Sequence, residues 1–282
     1  MGREPLQDLV GGMERAVVFP GQGSPGGGIS GVVRAAVHDH LGDGDVPYQL
    51  AVFASSVDLL YRLRDAGIDA DVVAGHSLGE YAAAHAAGSL GLGEGVRLVA
   101  ERDRLMNEAS QDNPGGMVAL IGADPDAVAE AVESFDGAVV AANFNSPRQI
   151  VVSGQLDALE EATEGLRGRR VRLQVAGAFH SPLMAEAARE MDGLLEAVEF
   201  DEPDIPMVGA TDGAVLTTAE GVREALRNQM LSPVRWVAVV ERLLELGVRE
   251  IFEAGEDGTL TRMLRDFQRK DVKGTTVGEV LA

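Results

Sequence analysis

Val72-Val73-Ala74-Gly75-His76-Ser77-Leu78-Gly79-Glu80 is the stretch on which the fold turns. A short apolar run leads into Gly75-His76-Ser77-Leu78-Gly79, and an Ala-rich helical stretch follows over 80–88. Strand, one serine on a tight turn, then helix is the context of a nucleophile elbow. Glycines two before and two after the serine are required because a β-carbon at either place would collide with the neighbouring strand or helix. The turn holds the Ser77 hydroxyl clear of the backbone and aims the first helical amides at charge developing beside it. With 35 glycines in 282 residues the pattern is weak alone, so other residues must carry the reading.

The rest of the composition narrows the class. Hydrophobic residues make up 45% of the chain, enough to bury a large core. The absence of cysteine excludes disulfides, thiolate catalysis and cysteine-ligated zinc. No stretch approaches the ~18 uninterrupted apolar residues of a membrane helix, and no charged-then-apolar leader opens the chain. The expectation is a soluble, cytoplasmic protein with no membrane contact. A formal net charge of −21, from 45 acidic against 24 basic residues, argues against nucleic acid as a partner.

Residues 1–13 read as a loose leader, and Ala16-Val17-Val18-Phe19 as a first buried strand ending at Pro20-Gly21-Gln22-Gly23-Ser24. Between Gly26-Gly27-Gly28 and Gly42-Asp43-Gly44-Asp45 the pattern is weak, whereas 49–66 and 95–109 have helical periodicity. The character changes near Gly115. Strands are expected at 117–121, 138–142, 149–153 and 171–175, with helices at 126–134 and 156–166. That β-α-β-β-α-β order is the split pattern of a ferredoxin-like unit. The chain is therefore expected to be α/β, with a large domain of mostly parallel sheet over 14–114 and 178–282 and an inserted subdomain over 115–177. Late strands are expected at Met207-Val208 and at Glu250-Ile251-Phe252.

A serine nucleophile needs a base within hydrogen-bond reach, and the chain has five histidines. His38 and His40 lie in the weakly patterned stretch. His76 adjoins Ser77, so its side chain must leave the elbow in another direction, and His85 is two turns along the next helix. Elimination leaves His180, in Gly177-Ala178-Phe179-His180-Ser181-Pro182, where the insertion ends and the large domain resumes. A seam between domains is where a cleft forms.

Val18-Phe19-Pro20-Gly21-Gln22-Gly23-Ser24, Ala74-Gly75-His76-Ser77-Leu78-Gly79-Glu80-Tyr81, Asn143-Phe144-Asn145-Ser146-Pro147 with Gln149 and Gly154, Phe179-His180-Ser181 and Ser232-Pro233-Val234-Arg235-Trp236 occur in that order. This resembles the malonyl-CoA:acyl-carrier-protein transacylases and the related acyltransferases of polyketide synthases, from about residue 15 to 270. The resemblance implies an α/β-hydrolase-like core carrying a ferredoxin-like subdomain. It makes Ser77 the nucleophile and His180 its base, with the backbone amides of Gln22 and Leu78 as oxyanion hole. It assigns Arg102 to the free carboxylate of malonyl, and Phe179 is the type seen in malonyl-selecting members. The histidine would be oriented by a backbone carbonyl, here that of Arg235, rather than by an aspartate. It further implies malonyl-CoA as substrate, no metal and no tightly bound cofactor, a phosphopantetheinylated acyl carrier protein as partner, and a monomer.

Two stretches depart from the family pattern. The span between Gln22 and Ser77 is short, with glycine-rich sequence and a weak helix in place of a longer helical region and Pro25 where a second glutamine is common, and Glu253-Ala254-Gly255-Glu256-Asp257-Gly258 replaces a Gly-Pro-Gly turn. A shortened wall could admit a larger or uncharged acyl group, open a docking surface or simply trim the scaffold. The same serine-histidine pair would also serve an acyl-CoA or acyl-carrier-protein thioester hydrolase, while a non-catalytic docking module would show a damaged site. An acidic carrier protein would be repelled at long range, so local basic groups must receive it. Arg167, Arg169, Arg170 and Arg172 form one such group, and Arg262, Arg265, Arg269 and Lys270 another.

Overall fold

Two sheets, one inserted into the connections of the other, account for the strands of the computed structural model, which describes residues 12–135 and 137–282. Residues 1–11 of the expected leader lie outside this range. In chain order the strands are β1 (Arg15–Phe19), β2 (Val72–Gly75), β3 (Gly115–Ile121), β4 (Val139–Ser146), β5 (Gln149–Gln155), β6 (Arg169–Arg172), β7 (Met207–Val208), β8 (Val215–Leu216), β9 (Glu250–Glu253) and β10 (Lys273–Thr276). The large sheet runs β10-β9-β1-β2-β7-β8, parallel except for β8. Its central strands β1 and β2 are apolar runs, almost wholly buried, as a parallel sheet covered by helices requires.

β1 and β9 are neighbours, and the connection after β1 runs to β2 on one side while that after β9 runs to β10 on the other. The crevice beyond the carboxyl ends of such strands is where α/β sheets place their ligands. Phe19 at the end of β1 is level with Gly75 at the end of β2, and Val18 with Glu253 at the end of β9. The turns after these three strands therefore emerge side by side.

The small sheet runs β4-β5-β3-β6, antiparallel throughout, with the helices Pro125–Glu133 and Leu156–Thr163 between its strands. Alternation along β3 divides its residues. Val118 and Leu120 pack with Val128 and Leu159 of those helices, whereas Met117 and Ala119 join the core of the large domain. One backbone seam ties the two sheets together: Val234 N–H donates to the Ala142 carbonyl and Phe144 N–H to the Val234 carbonyl, both at 2.8 Å.

Some expectations need correction. The weak helix expected between Gln22 and Ser77 is a regular one, Gly31–Leu41, because Val33 and Val37 share one face and are buried. The last strand of the small sheet is displaced to Arg169–Arg172, since only these residues pair with β3; Leu173 adds one further bond to the Met117 carbonyl. β8 and β10 are too short or too polar to have been foreseen. Among the described residues no helix is long and apolar enough to cross a membrane.

The elbow is the tightest crossing in the fold. A β-carbon on Gly75 would lie 2.1 Å from the Gly79 carbonyl carbon, and one on Gly79 would lie 2.1 Å from the Phe19 carbonyl oxygen. Both contacts are with backbone and cannot relax cheaply. Gly75→Ala should therefore lower unfolding free energy by at least ~3 kcal/mol. Gly193→Ala, with open space at an exposed position in the helix Ala185–Glu196, should raise it by about 0.5–1 kcal/mol. Denaturant unfolding of the two variants checks the contrast.

Candidate active site

β2 and the helix Gly79–Ala86 present Ser77 between them at φ +51°, a left-handed conformation costing about 1–3 kcal/mol that the packed elbow imposes. His180 arrives from the end of the inserted unit and is also left-handed, at φ +57°. The two side chains meet: Ser77 Oγ lies 2.8 Å from His180 Nε2. On the other side of the ring, Nδ1 is 2.9 Å from the Gln229 carbonyl oxygen and 3.0 Å from that of Ser232. Carbonyls only accept, so the ring proton sits on Nδ1 and Nε2 is free to accept from Ser77.

The carbonyl expected to orient this histidine, that of Arg235, does not reach it. It receives the Val239 N–H at 3.1 Å, as the start of the helix Trp236–Glu245 requires. The orienting groups lie three and six residues earlier, where the chain runs beside β4 before that helix begins.

Arg102 is fully buried on the inward stripe of the helix Leu92–Asp112, among Val99, Leu105 and Met106, while Arg97 and Arg104 on the same helix pair with Glu94, Glu101 and Glu108 outside. Its guanidinium donates to Ser77 Oγ at 3.1 Å, to Gln229 Oε1 at 3.2 Å and to Gln49 Oε1. Among the described residues Arg102 forms no ion pair, and its Nε has no hydrogen-bond partner. Burial pushes its pKa down, opposed by Tyr81, Glu80 and Asp103; a guanidinium stays charged nonetheless. The result is a buried cation held by neutral amides, with the chemistry to receive a carboxylate.

Gln229 joins the two halves of this arrangement. Its carbonyl holds His180, its Oε1 holds Arg102, and its Nε2 donates to Glu80 Oε2 at 3.0 Å. Glu80 Oε1 in turn accepts the Ala210 N–H, and burial pushes this carboxyl up to about 8 against that bond and the charge of Arg102. Gln49 and Gln229 were not anticipated. Glutamine has no periodicity signal of its own, although Gln229 stands three residues before the Ser232–Trp236 motif.

The turn after β1 completes the surroundings of Ser77. Among the described residues the amides of Gln22 and Leu78 have no protein acceptor. Gly21 packs against His76, where a β-carbon would lie 3.0 Å from the His76 carbonyl oxygen. His76 itself points away from Ser77, with Nε2 2.8 Å from Asn145 Oδ1 and its ring 5.6 Å from that of Trp236. A cavity of about 320 Å³ runs from Ser77 and His180 along Phe179 and the apolar face of the small sheet, through Met117, Ala119, Val151 and Val171, with Arg169 also on its wall. Such a site can pass an acyl group through Ser77: one base, a cation for a carboxylate, two free amides for an oxyanion, and an apolar trough for a long arm.

Comparison with known proteins agrees with this chemistry. The acyl transferase domain family model matches residues 22–280. The malonyl CoA-acyl carrier protein transacylase of Bacillus subtilis is 34% identical over 229 residues, covering 79% of this chain and 72% of that protein. That of Synechocystis is 34% identical over 278 residues, 90% of this chain and 93% of that protein. The polyketide biosynthesis protein ThaF of Burkholderia thailandensis is 36% identical over 279 residues, 89% of this chain but 24% of that protein. Among solved structures, the Synechocystis malonyl-CoA:ACP transacylase superposes with TM-score 0.86 at 31% identity, over 95% of this chain and 98% of that one. A malonyl-transacylase in complex with a type II polyketide synthase acyl carrier protein superposes with TM-score 0.86 at 32% identity, over 93% and 95%.

His180 must be unprotonated to accept from Ser77. Burial, then the charge of Arg102, hold its pKa down to about 4, against an ordinary 6.5. The rate at which a sulfonyl fluoride inactivates the enzyme through Ser77 should therefore stay level as pH falls through 6.5 and decline only near 4. An acid limb centred at 6.5 would contradict the buried, cation-flanked setting of this imidazole.

Proposed function

Since the chain belongs to the acyl transferase domain family, we propose that it moves a malonyl group from CoA to the phosphopantetheine thiol of an acyl carrier protein through an acyl-serine. Ser77 Oγ attacks the thioester carbonyl while its proton passes to His180 Nε2. The oxyanion so formed is received by the amides of Gln22 and Leu78, aligned beforehand and costing no reorganisation. Collapse breaks the carbon–sulfur bond, and His180 returns the proton to the departing CoA thiolate. In the second half the pantetheine thiol gives its proton to His180, its sulfur attacks the malonyl ester, and the proton goes back to Ser77 Oγ.

Arg102 selects the acyl group by accepting its free carboxylate as a bidentate pair. The observation that carries the reading is this guanidinium: buried, without an anionic partner among the described residues, and bonded to the same Ser77 Oγ that meets His180. Phe179, buried at the cavity wall beside His180, fills space that a substituted malonyl would need. The relative solved with an acyl carrier protein supports the acceptor. Of the basic residues considered for docking, Arg170 and Arg172 face Glu160 and Arg269 faces Asp271. Arg169 at the cavity wall remains the best placed to meet an acidic partner.

Mass spectrometry of intact protein incubated with malonyl-CoA and acetyl-CoA tests the scheme. Wild type should gain a malonyl group and Ser77→Ala none; an adduct on Ser77→Ala would remove the nucleophile assignment. Arg102→Ala should slow malonyl loading about 10- to 150-fold more than acetyl loading, the worth of a charged hydrogen-bonded pair. Equal losses would remove the carboxylate argument, and malonate release as fast without carrier protein as with it would turn the enzyme into a hydrolase.

A further inference from the structure

The turn that carries Gln22 is held from outside the sheet. Tyr48, the first residue of the helix Tyr48–Asp65, places its hydroxyl 2.7 Å from the Gln22 carbonyl oxygen and 2.9 Å from that of Ser24. One phenolic proton thus bridges both ends of the turn. From the other side Ser24 Oγ donates to Asp257 Oδ1 at 2.7 Å, and Thr259 Oγ1 donates to the same carboxylate. Within the turn, Ser24 N–H meets the Gly21 carbonyl at 3.1 Å.

These contacts join the two stretches in which the chain departs from its family. Tyr48 lies within the short span between Gln22 and Ser77, and Asp257 lies in the segment replacing the Gly-Pro-Gly turn. Gln22 has glycine on each side, so little in the turn itself fixes the tilt of its peptide planes. The ring of Tyr48 is 51% exposed, so burial contributes little to its being there. Its hydroxyl is engaged nonetheless, on the residue that supplies the proposed oxyanion amide and lines the same cavity as Ser77.

We infer that Tyr48 is a positioning residue for acyl transfer: its hydroxyl latches the Gly21–Ser24 turn and sets the angle at which the Gln22 amide meets the oxyanion. The inference rests on the assignment of that amide to the oxyanion hole. Donors of this kind act only within a narrow distance of the developing charge, and small displacements are costly in rate.

Tyr48→Phe keeps the ring and removes the latch. Rapid-quench measurement of malonyl-enzyme formation should show a fall of about 3- to 30-fold, short of the 10²–10³ that follows loss of a whole donor. KM for malonyl-CoA and the thermal midpoint should not move. A trifluoromethyl ketone analogue of the malonyl thioester, whose adduct with Ser77 bears an oxyanion, should lose affinity by the same factor. A tyrosine that only braces the fold would shift the midpoint and spare the analogue, and that result overturns the inference, as does wild-type acylation. Gln22→Pro, which deletes the amide donor, separates the two readings. Wild-type acylation in Gln22→Pro means that the oxyanion assignment fails, whereas a crippled Gln22→Pro beside an unimpaired Tyr48→Phe means that the latch alone fails. If Gln22→Pro does not fold, affinity of Tyr48→Phe for the analogue decides: a loss matching the rate supports the latch, and no loss overturns it.

Discussion

Everything at the reacting centre depends on two side chains that are missing. Because Gly79 has no β-carbon, the Phe19 carbonyl can occupy its place, and the helix after the serine begins against the end of β1. β1 lies between β2 and β9, so compressing the elbow against it gathers the turn at Gln22, the serine and the segment after β9 within one cluster. The same crossing holds Ser77 in a left-handed conformation that an isolated peptide would leave. Strain at the serine is the local cost of a placement that the surrounding backbone over-determines.

The second constraint is electrostatic. A guanidinium taken entirely out of water needs partners, and here they are neutral amide oxygens from Gln49 and Gln229 with the serine hydroxyl. A carboxylate in their place would neutralise Arg102 and compete with any anionic ligand. Amides satisfy the donors while leaving the field of the cation intact, and that field falls on Ser77 Oγ, where it favours the deprotonated form, and on His180, where it disfavours protonation. In the proposed scheme one residue thereby connects acyl recognition with the acid–base properties of the Ser77–His180 pair.

Much of this was legible in the chain. The elbow was readable because its glycines sit where sterics demand them between a strand and a helix. His180 followed from there being few histidines, and the small sheet from its β-α-β-β-α-β order. Arg102 was also readable in hindsight, since it falls on the apolar stripe with Val99 and Met106 while Arg97 and Arg104 do not. What escaped reading depends on where backbone groups point. Arg235 was taken for the orienting carbonyl, yet helix formation claims that oxygen, and the groups that orient His180 belong to Gln229 and Ser232. Carbonyl direction leaves no mark on residue type. The helix Gly31–Leu41 reads only weakly because two valines among glycines and charges make a faint pattern.

The two carbonyls that clasp Nδ1–H have a consequence for the fate of the acyl-serine. Among the described residues no carboxylate backs the imidazole, so uptake of a proton at Nε2 gains no ion pair there, and burial makes the ring a weak base. A weak base draws a proton readily only from an acidic donor or, as at Ser77 Oγ, from one whose anion a neighbouring cation stabilises. A thiol, near pKa 8.5, gives its proton up far more easily than water, near 15.7. In the proposed scheme an ester on Ser77 would thus resist water by chemistry, and the weakness of its base would keep the acyl chain for a sulfur nucleophile.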